Sequence, residues 1–338
     1  MKRILIISPM PPLIGGVAIS SGRLFDNLKA DGYDVDSYNI RPNNKIFNSP
    51  VGLVLRFLWI PFYILFHKKY DIIHCHVSGT YRKMYIAMVR PFCFKGAKLI
   101  HTLHGDVKPL LNKRAINAMS KADKLICVQK GDSAVLPELL KSKSIDIPAF
   151  IMPKLVTDDS VPTDILYFVK NKKYPMVLFY GGVILNNQFD DLYGVNDAID
   201  LYLYMKSKRV NIQMLLLITY KDNNENISFM KKIKERIKGE PNILLVENKN
   251  VQMLSLFRYA DLYIRPTKTD GDSLAVREAL CMQCHVVASD RAIRPLGTVI
   301  YSNKEEFFRL SEICISEKPE IIEQESFYNQ IKNIYDAC

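Results

Sequence analysis

Cysteine is scarce and uneven, seven in 338 residues at wide spacing, and an odd count gives no disulfide framework. No apolar run reaches the about 20 residues that a membrane-spanning helix needs. The nearest, residues 51–66, has 16 residues and holds Arg56 and Pro61; arginine at mid-bilayer is costly. It reads as a buried or interfacial helix broken at Pro61. The opening MKRILIISPM is too short an apolar run for a signal peptide, so a reducing, cytoplasmic setting is expected. There is no low-complexity segment, no short-period repeat and no G-x-G-x-x-G fingerprint, and the last absence counts against a nicotinamide-dependent dehydrogenase. With 48% hydrophobic and 24% charged residues, disorder and collagen are excluded.

Charge is plentiful but one-sided. The net charge is +11, and residues 1–165 carry 23 Lys and Arg against 13 Asp and Glu, whereas residues 166–338 carry 23 against 22. The first half therefore implies an anionic partner: nucleic acid, an acidic membrane surface or a phosphorylated acceptor. A solvated basic surface without a partner is the plainer alternative.

Both halves alternate short apolar runs with helical periodicity. In the first, residues 3–8, 35–40, 71–76, 98–103 and 124–128 read as strands. Residues 17–30, 112–120 and 133–140 read as helices. The pattern weakens over residues 152–173, where a domain junction is expected. In the second half, residues 175–180, 213–219, 242–246, 261–265 and 286–289 read as strands. Residues 196–208, 228–238, 251–259 and 273–282 read as helices. Such alternation argues parallel, doubly wound sheets. The expected fold is α/β, with two Rossmann-like domains facing a cleft: residues 1–160 with a C-terminal helix at about 324–338, and residues 170–322.

Ligands of open α/β sheets bind at the carboxyl ends of strands, and two such ends stand out. The first runs from Ser8 to Gly15-Gly16, where paired glycines before a helix let a phosphate approach free amides; the alternative is a plain strand–helix turn. The second is RPTKTDGDSLAVREAL from Arg265. There Gly271, Asp272, Ser273 and Leu274 offer amides, Arg265, Lys268 and Arg277 offer charge, and Glu278 can hold a diol. The alternative is an ordinary helix start capped by Asp272 or Ser273. Three further patterns carry less weight. Cys281-Met-Gln-Cys284-His285 fits covalent haem attachment but lies mid-domain. Asp270-Gly-Asp272 is too short a metal pattern to count. His74 and His76 share one strand face, as core or cleft-lining histidines do. No metal or cofactor is expected.

Together these residues resemble the retaining GT-B glycosyltransferases of glycosyltransferase family 4, in the branch that builds bacterial exopolysaccharide and O-antigen. The likeness covers nearly the whole chain: the Gly15-Gly16 loop, DIIHCH, HTLHGD at 101–106, KADKLICV, LFYGG, the region from Asp270 to Glu278 followed by VVASDRAIRPLG, and SFYNQIKNIYDAC, similar to a last helix that crosses back onto the first domain. The resemblance implies that Gly15 and Gly16 face the donor diphosphate. His104 would sit at the donor sugar, Asp270 would contact that sugar, residues 271–274 would line sugar and diphosphate, and Glu278 would hold the ribose. It also implies a nucleotide-diphosphate sugar as donor, a glycan or lipid-linked saccharide as acceptor, no nucleic acid, and a place at the inner face of the membrane.

Two departures matter. The family's diphosphate-binding Arg and Lys are replaced by Gly182 and, at about the second position, Tyr193. The family's Gly and Pro after the acidic helix are Gln283 and His285. Arg265, Lys268 and Arg294 are the candidate replacement cations. The rival reading, motivated by the missing pair, is a sugar-nucleotide-binding protein without catalysis. If the basic first half meets a membrane, Trp59, Phe62, Tyr63 and Phe66 would add interfacial contact; the alternative places them in the core.

Overall fold

A computed structural model describes every residue except 1, 13–14, 43–48, 95, 106, 154–156, 160, 184–189, 250, 318 and 320–321. Leu13 and Ile14 of the first glycine loop, Asp106 of HTLHGD and parts of the expected junction thus lie outside the described residues. The chain divides into two units: Met1–Pro153 with Glu325–Cys338, and Lys154–Gln324.

The first unit runs β1 (Arg3–Ser8), α1 (Gly16–Ala30), β2 (Asp34–Asn39), α2 (Pro50–Phe66), β3 (Ile72–Cys75), α3 (Thr80–Cys93), β4 (Lys98–Leu103), α4 (Lys113–Met119), β5 (Lys124–Cys127), α5 (Asp132–Val135), α6 (Glu138–Lys141) and β6 (Ser144–Asp146). The strands form one parallel sheet in the order β2-β1-β3-β4-β5-β6. Their apolar runs are nearly continuous because both faces are covered. Leu5, Ile7, Ile73, Cys75, Leu99 and Leu125 pack beneath Phe57 and Ile60 of α2, Ile86 of α3 and Met119 of α4.

The second unit runs α7 (Thr163–Lys170), β7 (Met176–Val183), α8 (Val195–Ser207), β8 (Gln213–Tyr220), α9 (Asn224–Arg236), β9 (Ile243–Glu247), α10 (Met253–Phe257), β10 (Leu262–Arg265), α11 (Leu274–Cys281), β11 (His285–Ser289), β12 (Thr298–Tyr301) and α12 (Lys304–Ser316). Its parallel sheet has the order β12-β11-β10-β7-β8-β9. Val177, Phe179, Leu216 and Ile264 face α8, α9 and α12. The alternate residues Leu178, Leu215, Tyr263 and Val286 face α7, α10 and α11. The chain ends in α13 (Tyr328–Ala337), which belongs to the first unit. There the Lys2 ammonium donates to the Tyr335 carbonyl at 2.7 Å, and the Tyr33 hydroxyl donates to Asp336 at 2.6 Å.

In each sheet the order reverses once, between β1 and β3 and between β7 and β10. Those switch points open a crevice at the strands' carboxyl ends. Ser8 and Cys75 end the pair in the first unit; Val183 and Arg265 end it in the second.

Several expectations are corrected. Pro61 does not break its helix: α2 is continuous through it. The missing amide is offset because Phe57, Ile60 and Ile64 are buried in the core, each worth about 1.5–3 kcal/mol. The expected helix at 133–140 is two short ones, separated by extended Leu136 and by Pro137, since a residue before proline disfavours helix. The weak stretch at 152–173 contains α7, whose Ile165 and Val169 are buried. Helices α3 and α12 and strands β6 and β12 were not anticipated.

Gly194, the residue before α8, has φ +75°, and a Cβ there would lie 2.3 Å from the Pro266 carbonyl. Gly194→Ala is expected to destabilise the protein by about 1–3 kcal/mol or more, from backbone strain and that clash. A urea midpoint equal to wild type would show that the loop shifts freely.

Candidate functional site

At the switch point of the second unit the chain buries a cluster of opposite charges. Arg265, the last residue of β10, donates from Nε to Asp270 Oδ2 at 3.0 Å, from Nη2 to Asp270 Oδ1 at 3.2 Å, and from Nη1 to the Tyr180 carbonyl at 3.3 Å. Its guanidinium also lies 5.0 Å from the Tyr193 ring centroid. Arg294 reaches the same carboxylate, Nη1 to Oδ2 at 2.7 Å, and donates to the Ser289 carbonyl and hydroxyl. The side chains of Arg265, Asp270 and Arg294 are 10%, 10% and 1% exposed. Burial alone would push the Asp270 carboxyl up, but Arg265 and Arg294 hold it below the usual carboxylate range. Two cations on one anion leave the cluster at +1.

The other candidates separate. Asp272 turns to Arg277, 2.8 Å away, and burial raises its carboxyl despite that partner. No side chain caps α11, so neither Asp272 nor Ser273 serves that role. Leu274 opens the helix, and the Gly271 amide is occupied by Asp270 at 3.1 Å. Lys268 leaves the cluster and pairs with Asp197 at 3.3 Å. Glu278 is buried on α11, and its charge adds to the rise that burial imposes on the Tyr180 phenol.

One element had no sequence expectation. The Asp191 carboxylate accepts the amides of Gly194, Val195 and Asn196 at 2.7–3.0 Å. The start of α8 therefore already holds an anion of the chain's own. The spacing Asp191-Leu-Tyr-Gly194 before an apolar-periodic run is the signal that could have revealed it.

In the first unit, Gly15 and Gly16 start α1 with no side-chain cap, and a Cβ on either would meet nothing within 4 Å. In the same unit four histidines, His74, His76, His101 and His104, lie in or just after β3 and β4. His104 Nε2 is 3.2 Å from His76 Nδ1, and His76 Nε2 is 3.3 Å from His74 Nδ1. His74 Nδ1 is also in a short hydrogen bond with the Tyr335 hydroxyl, and its Nε2 is 2.8 Å from Thr102 Oγ1. With Tyr335 donating, the single lone pair of His74 Nδ1 is taken, so His76 does not also donate there and instead packs its ring against His74, centroids 4.1 Å apart. Each neutral histidine, His104 included, keeps one ring nitrogen with a lone pair. Burial is the main reason that His74, His101 and His104 are lowered from 6.5 to about 3, with His76 also lowered. The buried His101 ring nitrogens have no partner among the described residues. All seven cysteines are free, and among the described residues no group of His, Cys, Asp and Glu is arranged to hold a metal.

No protein-family model matches the chain, and no curated protein matches it. Solved structures do. A Thermosynechococcus elongatus sucrose-phosphate synthase is 14% identical, with TM-score 0.67 over 94% of this chain and 90% of that one. Anabaena HepE in complex with UDP and glucose is 13% identical, with TM-score 0.65 over all of both chains. A Rickettsia africae glycosyltransferase is 15% identical, with TM-score 0.62 over 93% of this chain and 88% of that one. The likeness is one of fold: two six-stranded parallel sheets with helices, the GT-B fold of these glycosyltransferase structures.

Asp270→Asn keeps the shape but leaves two buried cations without a counter-charge; it should cost about 3–5 kcal/mol in chemical denaturation. A loss below about 1 kcal/mol would show that other groups hold the arginines.

The histidines give a pH dependence of definite sign. Each is lowered in the fold, so between 6.5 and about 3 the unfolded chain binds more protons than the folded one. Their stabilisation is complete above pH 6.5 and is lost on acidification, at up to about 1.4 kcal/mol per group per pH unit. His76→Gln should flatten the decline of the thermal midpoint between neutral pH and about pH 5 relative to wild type. Parallel curves would exclude the cluster as its source.

Proposed function

We propose that this chain is a retaining glycosyltransferase. It would move a hexosyl group from a nucleotide-diphosphate sugar to a polysaccharide or lipid-linked saccharide, in cell-envelope glycan assembly of the exopolysaccharide or O-antigen kind. The observation that carries the reading is the buried Arg265–Asp270–Arg294 cluster of net charge +1 at the switch point of a GT-B unit. Departure of a nucleotide diphosphate builds negative charge on the leaving phosphates and positive charge at the anomeric carbon. Groups that bind those charges more tightly in the transition state supply the rate. In this reading Arg265 and Arg294 stand in for the family's diphosphate-binding cations at Gly182 and Tyr193, while Lys268 is held away by Asp197. Asp270 orients both arginines and faces the donor sugar. On the second unit, residues 271–274 lie along the donor, and Glu278 takes the ribose hydroxyls. His104, uncharged with one lone-pair nitrogen, suits a sugar hydroxyl. The diphosphate oxygen would take the acceptor's proton on the leaving-group face, which retains configuration.

Structures of the same fold hold UDP with glucose, and ADP with acarbose, and their donor chemistry supports the class assigned to this chain. The charge neutralisation proposed is made by protein cations, so EDTA should leave transfer intact. No helix of the described residues is long and apolar enough to cross a membrane. The place proposed, from the resemblance and the basic first half, is the cytoplasmic surface of the inner membrane, with no nucleic-acid partner.

A second reading has its own observation. Every guanidinium nitrogen of Arg265 and Arg294 already bonds within the chain, as suits a site that binds a sugar nucleotide without turning it over. A panel of nucleotide sugars scanned by thermal shift, followed by assay of donor hydrolysis and transfer, separates the two: both readings need a shift, only the first needs product. Glu278→Gln should weaken nucleotide binding by about tenfold or more, since a hydrogen bond to a charged group is worth about 1.5–3 kcal/mol. Unchanged affinity would remove Glu278 from the site.

A further inference from the structure

The helix α2 is apolar on two opposite faces, and the core needs only one. Phe57, Ile60 and Ile64 point inward and are buried. The outward stripe runs from Val51 through Leu55, Leu58, Trp59 and Phe62 to Phe66, all exposed, with Trp59 at 57% and Phe66 at 79%. That spacing is one helical face about 22 Å long. Arg56, the one charged residue of α2, does not interrupt the stripe: it turns to β2, donating to the Asn39 carbonyl at 2.5 Å and lying over the Tyr38 ring. Tyr63 packs against the core. Helix α3 lies beside α2, with Arg82 over the Phe57 ring at 5.2 Å, and adds exposed Tyr81. Soluble proteins rarely leave such a continuous apolar stripe to water.

Charge complementarity identifies the occupant. Between positions 41 and 121 the chain has fourteen Lys and Arg and two acids, Asp71 and Asp106; of the cations, Lys83 is buried, Arg56 turns inward, Lys68 pairs with Asp34 and Asp36, and Arg90 and Lys98 pair with Asp123. That segment contains α2, α3 and α4. Lys69, which follows α2, and Lys113 and Arg114, which open α4, are exposed. An apolar helical face with aromatic residues and a basic surround is what inserts into an anionic interface. With 17 residues, α2 is too short to span a bilayer.

We propose that the outward face of α2 is a membrane-docking surface. It would lie parallel to an anionic bilayer with Trp59 and Phe62 at the level of the acyl–headgroup boundary. The inference extends the membrane placement proposed above and names the surface that would achieve it; it does not require the chain to be catalytic.

Trp59 is the single tryptophan of the chain, so its emission reports this face alone. Addition of phosphatidylglycerol-containing vesicles should shift the emission to the blue, and brominated acyl chains should quench it. Phosphatidylcholine vesicles should do neither. Raising salt from about 50 mM to about 500 mM should cut partitioning by about tenfold, because the Debye length shrinks from over 10 Å to a few. Leu58→Glu with Phe62→Glu, both on the exposed stripe, should abolish flotation while keeping the wild-type thermal midpoint and nucleotide-sugar shift. Flotation without change in Trp59 emission would place the contact elsewhere and overturn the proposal, as would absence of binding at low salt. A lipid-free dimer with emission already blue-shifted would overturn it in favour of a second copy of the chain. The wild-type fluorescence stands without the variants should they fail to fold, and a donor-binding failure in the thermal-shift panel leaves this result untouched.

Discussion

Two buried guanidinium groups on one carboxylate set the terms for the second unit. An ion removed from water costs several kcal/mol unless it is paired and hydrogen-bonded, so the loop after β10 has little freedom. Asp270 must return to Arg265, five residues back, and must also meet Arg294 from beyond β11. The loops around it are laced to suit. Thr267 donates to the Thr269 carbonyl at 2.6 Å, Ser289 donates to the Thr267 carbonyl at 2.7 Å, and the Lys268 amide donates to the Leu192 carbonyl at 2.8 Å. Segments after β7, β10 and β11 are thereby fixed to one another at the end of the sheet where the strand order reverses. A cluster built this way is pre-organised: its positive excess is fixed by bonds within the chain itself.

The first unit buries polar side chains too. Its histidines are taken out of water neutral, and His74 is held at both ring nitrogens, by the Tyr335 hydroxyl of α13 and by Thr102. The C-terminal helix is thus more than a cover for the sheet: its tyrosine occupies a histidine that packs on His76, which in turn packs on His104. Lys83 is buried in the same unit, and its charge adds to the lowering of His101 and His104.

How much of this the sequence discloses depends on the range of the interaction. Strands such as Lys98–Leu103 are legible to the residue because a continuous apolar run bounded by polar residues is a local signal. The role of α2 as a helix is equally local, but its survival past Pro61 is not: it rests on core contacts made by Phe57 and Ile64 with distant strands. Arg265 and Asp270 were legible at the end of a strand, and Arg294 as a candidate replacement cation, yet their meeting on one carboxylate was not, because residue 294 reaches the others only once β11 is laid beside β10. The histidine chain was hidden for the same reason. His74 and His76 read as a pair on one strand, while Tyr335 is 261 residues away. The Asp191 carboxylate at the start of α8 was within reach of sequence alone, since its bonds span five residues and an anion beside free helix-start amides is favourable.

What the fold does not explain is where function has room to act. Parallel sheets demand apolar strands and one apolar stripe on each covering helix, and nearly every buried residue of both units meets that demand. Helix α2 exceeds it: a second stripe adds nothing to the core and exposes the unfolded and folded chain alike to aggregation. The same excess appears in charge: Arg56 and Lys83 are taken up by packing and Lys68, Arg90 and Lys98 by Asp34, Asp36 and Asp123, yet Lys69, Lys113 and Arg114 stay exposed. Two surpluses of different kind on one segment, apolar and cationic, have a common solution in an environment that is both oily and negative. Neither surplus alone would specify that environment, since an apolar face suits any partner and a basic one suits any anion.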